Sequence, residues 1–381
     1  MVMGDMDLVR PLGLAGVACV PVGEPGSPTF HSRFAAGSVP CADVGGAELL
    51  GALIDHAATC RERPVLFYQQ DAQLLMISRH RDRLAQSYRF VIPEAELVED
   101  LVDKARFQAL AERLGLPVPR AVRVAPAAGG AERLGLEGPV IVKPLTRGEA
   151  WHQEFGPTKA VEAADAEALA ALWPRLAATG LEVLVQEVVP GPESAMESFH
   201  VYVDGRGEEV ASFTGRKIRT WPRRFGHSTA LTVTDAPDVA ALGRSLVARL
   251  GLTGVAKFDF KRGPDGRLHL LEVNPRFNLW HHLGAVAGVN IPDAVYRDLV
   301  GASRARPSTA RAGVRWCSGT GDFRAARDEG RSLLGWAGFA LTCRARGVLA
   351  LDDPLPFLAS KLGGRLGRAR GSRVGPKAYQ P

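Results

Sequence analysis

The chain has 381 residues, enough for two or three domains and a sizeable buried core. Apolar residues make up 46% and charged residues 23%, an ordinary globular balance, and a formal charge of +6 argues against a nucleic-acid partner unless the basic residues are concentrated. The five cysteines (Cys19, Cys41, Cys60, Cys317, Cys343) are scattered, with no C-x-x-C pair. That argues against a disulfide framework or a zinc site, and, with no membrane-spanning apolar run and no secretory signal, a cytoplasmic location is expected.

In chain order, a helix ends near Gly13 or Gly16, and Gly16 to Val22 reads as a short buried strand. Ala47 to Ala58 reads as a helix, Pro64 to Tyr68 as a strand and Leu74 to Gln86 as a helix. This alternation implies a parallel sheet with helices on its faces, whose first strand is truncated because only Met1 to Met3 precede the glycine turn. Asp103 to Leu114 reads as a helix stopped by Gly115, Pro117 and Pro119. After an alanine- and glycine-rich turn region at Ala125 to Gly138, Val140 to Val142 is a strand and Asp165 to Thr179 a helix. Val183 to Val189, Ser198 to Val203 and Glu209 to Gly215 follow as strands, and Asp238 to Leu250 as an amphipathic helix. Beyond residue 300 the pattern weakens. Lys361 to Pro381 carries Arg365, Arg368, Arg370, Arg373 and Lys377 with no acid, and reads as a mobile basic tail.

The clearest signal is a hairpin, Gly254 to Phe260 and Leu268 to Val273, around Gly263-Pro264-Asp265-Gly266. A four-residue loop sets Arg262 opposite Arg267, Asp259 opposite Leu270 and Lys257 opposite Glu272. In that register Lys257, Asp259, Glu272 and Asn274 share one face, while Phe258, Phe260, Leu271 and Val273 face the core. Two carboxylates and an amide on one face repel unless a cation compensates them. Magnesium suits the set, since it takes few protein oxygens and accepts the rest from phosphates and water. A solvated face with Lys257 paired to Glu272 is the bland reading.

The strings Leu270-Leu271-Glu272-Val273-Asn274-Pro275-Arg276-Phe277 and Gly288-Val289-Asn290-Ile291-Pro292 resemble the metal-binding strand of the ATP-grasp superfamily and its continuation. The resemblance runs in order over roughly residues 95 to 300. It implies an α/β and α+β chain: a Rossmann-like pre-ATP-grasp domain at 1–100, a central lid at 101–190, and a larger domain with the metal site at 191–305. A C-terminal extension at 306–360 and the basic tail at 361–381 would follow. ATP and Mg2+ are the implied cofactors. Asp259, Glu272 and Asn274 match the metal ligands. Lys104 and Lys143 match the phosphate lysines, two charges on separate elements that can clamp a triphosphate. Gln186, Glu187 and Val189 match the adenine-contacting hinge, and Glu193 the ribose acid. Lys217 and Arg219, two apart on a strand, match the basic substrate-binding run Gly215 to Arg224, and Arg276 matches an oxyanion stabiliser beside the metal.

Two departures stand out. The loop Thr146 to Trp151 has one glycine where the family has several, so Arg147 or His152 would have to substitute, and the pair His227-Ser228 matches only loosely. His281 and His282 read as structural or solvated. The order Leu-Ser-Arg-His-Arg, Ala-Gln-Ser-Tyr-Arg-Phe, Asp-Lys-Ala-Arg-Phe resembles carboxylate–amine ligases that include D-aspartate ligases. The expectation is therefore amide formation through an acyl phosphate, from a small carboxylate and an amine, with a homodimer as the candidate assembly. Alternatives are a carboxylase-like enzyme that phosphorylates bicarbonate, a non-catalytic ATP-binding regulatory module, and an interaction protein whose basic tail touches anionic surfaces.

Overall fold

A computed structural model describes residues 1–361 except 129, 137, 146–147, 157, 159, 224–225, 305–307 and 349. The expected tail beyond Lys361, and the loop and basic-run residues Arg147 and Arg224, lie outside the described residues. Four short parallel strands open the chain: β1 (Val2–Met3), β2 (Val22–Gly23), β3 (Val39–Pro40) and β4 (Phe67–Tyr68). β1 pairs with β4 and β2 with β3, while single bridges join Val2 to Pro21 and Val65 to Arg89. The first strand is thus two residues long but sits in the middle of the layer. Gly16 to Val22 supplies bridges and the first residue of β2, not a full strand. Helices α1 (Met6–Leu14), α2 (Ala47–Ala58), α3 (Asp71–Arg79) and α4 (Arg81–Ser87) flank these strands. The single helix expected at Leu74 to Gln86 is two, broken at His80, whose backbone (φ −114°, ψ 27°) leaves the helical region.

Helices α5 (Ala95–Val102) and α6 (Lys104–Arg113) follow. Asp103 caps α6 by accepting the Ala105 and Arg106 N–H groups, which fixes Lys104 at the first helical position. Beyond them, β5 (Ala121–Val124), β6 (Val140–Pro144), β7 (Val161–Ala163) and β8 (Val183–Glu187) form an antiparallel sheet in the order β5–β8–β6–β7, with helices α7 (Glu149–Phe155) and α8 (Ala166–Ala178). This unit has its own core of Val140, Val142, Trp151, Trp173, Leu176 and Val185. Leu101, Phe107 and Leu110 instead join the core of the large sheet.

The large sheet has the order β13–β12–β9–β10–β11–β14–β15. Its members are β9 (Met196–Val203), β10 (Glu209–Trp221), β11 (His227–Thr234), β12 (Gly254–Arg262), β13 (Leu268–Asn274), β14 (Arg315–Cys317) and β15 (Ala345–Arg346). Alternation along β9 sends Phe199, Val201 and Val203 to the face covered by α9 (Pro237–Leu250). Tyr202 goes to the opposite face, whose core includes Trp280 of α10 (Trp280–Ala287), Ile291 of α11 (Ile291–Val300) and residues of the N-terminal layer. The weakly patterned region after residue 300 is structured. It adds the two edge strands β14 and β15 and the helices α12 (Thr320–Asp328) and α13 (Leu333–Thr342). No helix among the described residues is long and apolar enough to cross a membrane.

Close packing of α9 depends on Gly243, where an added Cβ would lie 2.2 Å from the Phe199 ring. Gly243→Ala gains about 1 kcal/mol of helix propensity but overpacks the contact, at a cost of about 1–3 kcal/mol. Its urea midpoint should fall below wild type, and a raised midpoint would show that the helix reseats freely.

Candidate active site

The β12–β13 hairpin carries the acidic residues, and its register differs from the simple expectation. Arg262 pairs with Leu268, so the loop has five residues, and Gly263 N–H donates to the Arg267 carbonyl at 2.8 Å. A bulge between Asp259 and Phe260 then shifts the ladder again. Lys257 therefore pairs with Asn274, and Asp259 with Glu272, not with Leu270. Leu270, not Leu271, packs in the core with Phe258 and Phe260. Each one-residue shift reverses the face of a strand, and two restore it, so the four polar side chains still share one face.

Asp259 is 1% exposed. Its Oδ1 accepts from Ser198 Oγ at 2.6 Å, and its Oδ2 lies 2.6 Å from Lys257 Nζ. Burial works to raise the pKa of this carboxyl, but the positive charges of Lys257 and Lys217, with contacts to Glu272 and Lys257, outweigh it and hold the group below the usual carboxylate range. Asn274 Nδ2 donates to Glu272 Oε1 at 3.0 Å, and Asn274 Oδ1 accepts from Arg276 Nη2 at 3.1 Å. Arg276 is also bound by Asp71 Oδ1 (2.5 Å) and the Gln69 carbonyl (3.2 Å), so its guanidinium pins the strand end to the N-terminal layer.

On the nucleotide side expected from the sequence, Lys143 at the end of β6 donates to Gln186 Oε1 at 2.7 Å. Lys104 donates to the Pro144 and Leu145 carbonyls at 3.2 and 3.4 Å. Desolvation lowers the Lys143 ammonium to about 8; Glu272 pulls it back up and Lys104 pushes it further down. Lys104 and Glu272 therefore both lie within electrostatic reach of Lys143. In the hinge, the Glu187 and Val188 N–H groups donate to the Arg120 and Pro139 carbonyls. Val189 is buried, and the half-buried Glu193 begins a short 3-10 turn, Glu193–Ala195.

On the other side, a cavity of about 640 Å3 opens between the large sheet and the N-terminal layer. Lys217, Lys257, Asp259, Glu272, Asn274 and Arg276 line its sheet wall, together with His227 and Ser228. Gly4, Gln69, the turn from Glu24 to Pro28, and Val348 of the extension line the rest. Trp280 sits under this wall, with its ring where a Cβ on Gly215 would fall (2.2 Å). His281 and His282 are buried, not solvated, and burial lowers His281 to about 3, so its imidazole is neutral.

Arg219 does not join Lys217. Bulges on both sides of Arg219 change the phase of β10, and its guanidinium makes a bidentate, fully buried pair with Asp322 of α12 (2.8 and 2.6 Å). It lines a different cavity from Lys217. The rule that residues two apart share a face fails here because the strand is not regular.

The donor set fits magnesium. It is oxygen-only, and among the described residues no group of three or more His, Cys, Asp or Glu gathers that would complete a metal cage alone. Such a site leaves positions for phosphate oxygens. Ser198 is the contact that the sequence reading missed; only the β9–β12 pairing, which sets it across from Asp259, brings it in.

Two outcomes follow. Arg219→Met leaves Asp322 buried and unpaired, so stability should drop by about 3–5 kcal/mol in denaturant titration, with a much smaller loss for Lys217→Met. Lys143 carries a cation whose pKa is lowered by burial. Below about pH 8 the ammonium is charged in the free protein and ATP affinity should be level. Above it a proton must be regained on binding, so affinity should fall by up to about tenfold per pH unit. Calorimetric titration from pH 7 to 9 checks this, and Lys143→Arg should flatten the profile.

Residues 181–320 match the family described as ATP-grasp in the biosynthetic pathway with Ter operon. The chain is 26% identical over 240 residues to D-aspartate ligase of Enterococcus faecium (strain Aus0004), a match covering 60% of this chain and 57% of that protein; the chain thus spans little more than half the length of this relative. Among solved structures it resembles N5-carboxyaminoimidazole synthetase from Staphylococcus aureus complexed with ADP (TM-score 0.61, 15% identity, 82% of this chain and 79% of that one). It also resembles the biotin carboxylase domain dimer of Hydrogenobacter thermophilus 2-oxoglutarate carboxylase in complex with MgADP, ADP and bicarbonate (TM-score 0.59, 16% identity, 82% and 72%). Its mixed α/β architecture is the ATP-grasp fold.

Proposed function

We propose that this chain uses ATP to phosphorylate a carboxyl group and passes the activated group to a nucleophile, in a ligation or carboxylation reaction. The observation that carries this reading is the placement of Asp259 and Glu272. They face each other across the hairpin, with Lys143 in reach of Glu272 on one side and a cavity lined by Lys217 and Lys257 on the other. Phosphate donor and carboxyl acceptor would meet at these two carboxylates.

In this reading Lys104 and Lys143 offset the charge of the nucleotide phosphates. Gln186 orients Lys143 through the bond at 2.7 Å. Glu187, Val189 and Glu193, at the connection between the central and large domains, are assigned to the nucleoside. Asp259, Glu272 and the Asn274 side-chain oxygen would hold Mg2+, whose chemistry is to neutralise phosphate oxygens as the phosphoryl group moves. Lys217 and Lys257 hold the acceptor carboxyl by charge and stabilise the oxyanion that forms on nucleophilic attack. Arg276 positions Asn274, since its guanidinium is taken up by Asp71, Gln69 and Asn274.

Two acceptors suit the same activation step. Bicarbonate is favoured by the resemblance to the bicarbonate-bound carboxylase domain and to the carboxyaminoimidazole synthetase. A small organic carboxylate with an amine is favoured by the D-aspartate ligase relative and by a cavity much larger than bicarbonate needs. A homodimer is compatible with either.

ADP release should be measured with magnesium, first in bicarbonate-free buffer with pairs of amino acids, then with bicarbonate alone. Turnover with bicarbonate alone supports carboxy-phosphate formation, and turnover only with an organic carboxylate supports ligation. Glu272→Gln should lower either rate by at least about a hundredfold. A rate equal to wild type in that variant sinks the assignment.

A further inference from the structure

Resting on the carboxyl activation proposed above, we propose that the acceptor in the 640 Å3 cavity is a monocarboxylate with an apolar side chain, and neither a dicarboxylate nor bicarbonate. The two walls of the cavity differ in charge. Among the described residues, every Lys, Arg and His that lines it stands on the sheet side: Lys217, His227, Lys257 and Arg276. Lys257 is ion-paired with Asp259 and Arg276 with Asp71, which leaves Lys217 as the lysine for an incoming carboxylate. The opposite wall, built from the N-terminal layer and Val348, has Asp5, Glu24 and Asp43 as its charged groups. Its amides are turned inward. Gln69 Oε1 accepts from the Asp5 N–H at 2.7 Å, and Gln73 Oε1 from the Gln69 and Gln70 N–H groups at 2.9 and 3.0 Å. Ser27 Oγ is bonded to Thr29 Oγ1 at 2.9 Å. A second carboxylate on the acceptor would lose water there and face acids with no cation beside it.

Between these acids the wall is hydrocarbon: Val22, Pro25, Pro28, Val44, Leu49 and Val348 line it. Val44 is 44% and Val348 38% exposed, so apolar surface is left bare on the wall of a cavity that also holds convergent charge. Both valines are held in place. Asp43 Oδ1 accepts from the Gly45 and Gly46 N–H groups at 3.1 and 2.8 Å, which fixes the turn around Val44. Arg10 donates to the Arg346, Gly347 and Val348 carbonyls. The turn from Glu24 to Pro28 closes through the Ser27 N–H, which donates to the Glu24 carbonyl at 2.9 Å, with Gly26 at φ 81°. A wall that is already in place binds whatever covers its hydrocarbon. Bicarbonate has no hydrocarbon to offer and would leave Val44 and Val348 in water. An apolar side chain covers them while its carboxyl lies at Lys217.

ADP release with magnesium, and with hydroxylamine as a common nucleophile, tests this for leucine, phenylalanine, alanine, aspartate and bicarbonate as acceptors. For leucine or phenylalanine, kcat/KM should exceed that for alanine at least about tenfold and that for aspartate at least about a hundredfold. Val44→Ser and Val348→Ser together, with an unchanged melting temperature, should shrink the preference over alanine at least about threefold. Glu24→Lys should raise the use of aspartate relative to leucine at least about tenfold. A wild-type preference for aspartate or bicarbonate overturns the proposal and leaves carboxyl activation standing. So does an unchanged preference over alanine in the double valine variant. ADP release with none of the five acceptors sinks carboxyl activation itself, and this assignment with it.

Discussion

Two carboxylates held across one antiparallel ladder repel, and Asp259 does so with almost no water around it. A charge in that setting persists only if it is paired and hydrogen-bonded. Lys257 and Ser198 take its two oxygens, and Lys217 adds charge from the neighbouring part of the sheet. Glu272 is left at the exposed side of the pair, where it accepts from the Asn274 amide and has Lys143 within electrostatic range. The inner carboxylate is thus kept charged by the protein and the outer one is exposed, so the two can face a cation shared with phosphates.

The rest of the architecture serves that pair. The N-terminal layer and one face of the large sheet share a single apolar core, so the two walls of the 640 Å3 cavity are fixed relative to each other. Arg276 adds a polar tie between them through Asp71 and Gln69. The central domain keeps a separate core, and Lys104 links the large sheet's helix layer to it through the Pro144 and Leu145 carbonyls. Lys143 is thereby carried on one unit and Glu272 on another, and their interaction spans the join.

The extension beyond residue 300 is part of the same sheet and not an appendage. β14 and β15 extend it, Asp322 neutralises Arg219 inside it, and Val348 reaches the cavity. Its packing turns Arg219, expected from the sequence to meet substrate, into a structural residue paired with Asp322, and it engages Arg10 through three backbone carbonyls.

The sequence by itself determined the helices with strong local caps and stops, such as α6 after Asp103 and α9 before Gly251, and the hairpin with its polar face. These rest on contacts a few residues apart, which local chemistry encodes. It also marked Lys143 and the Asp259, Glu272, Asn274 trio, since an apolar strand ending in charge is visible in one dimension. Only the tertiary structure decided the five-residue loop and the bulge, because ladder energy and core packing of Leu270 set the register together. It alone separated Arg219 from Lys217, since the partner Asp322 lies 103 residues away. It alone brought Ser198 to Asp259, because strand order in a sheet is a long-range choice made by burial and not by the residues of either strand.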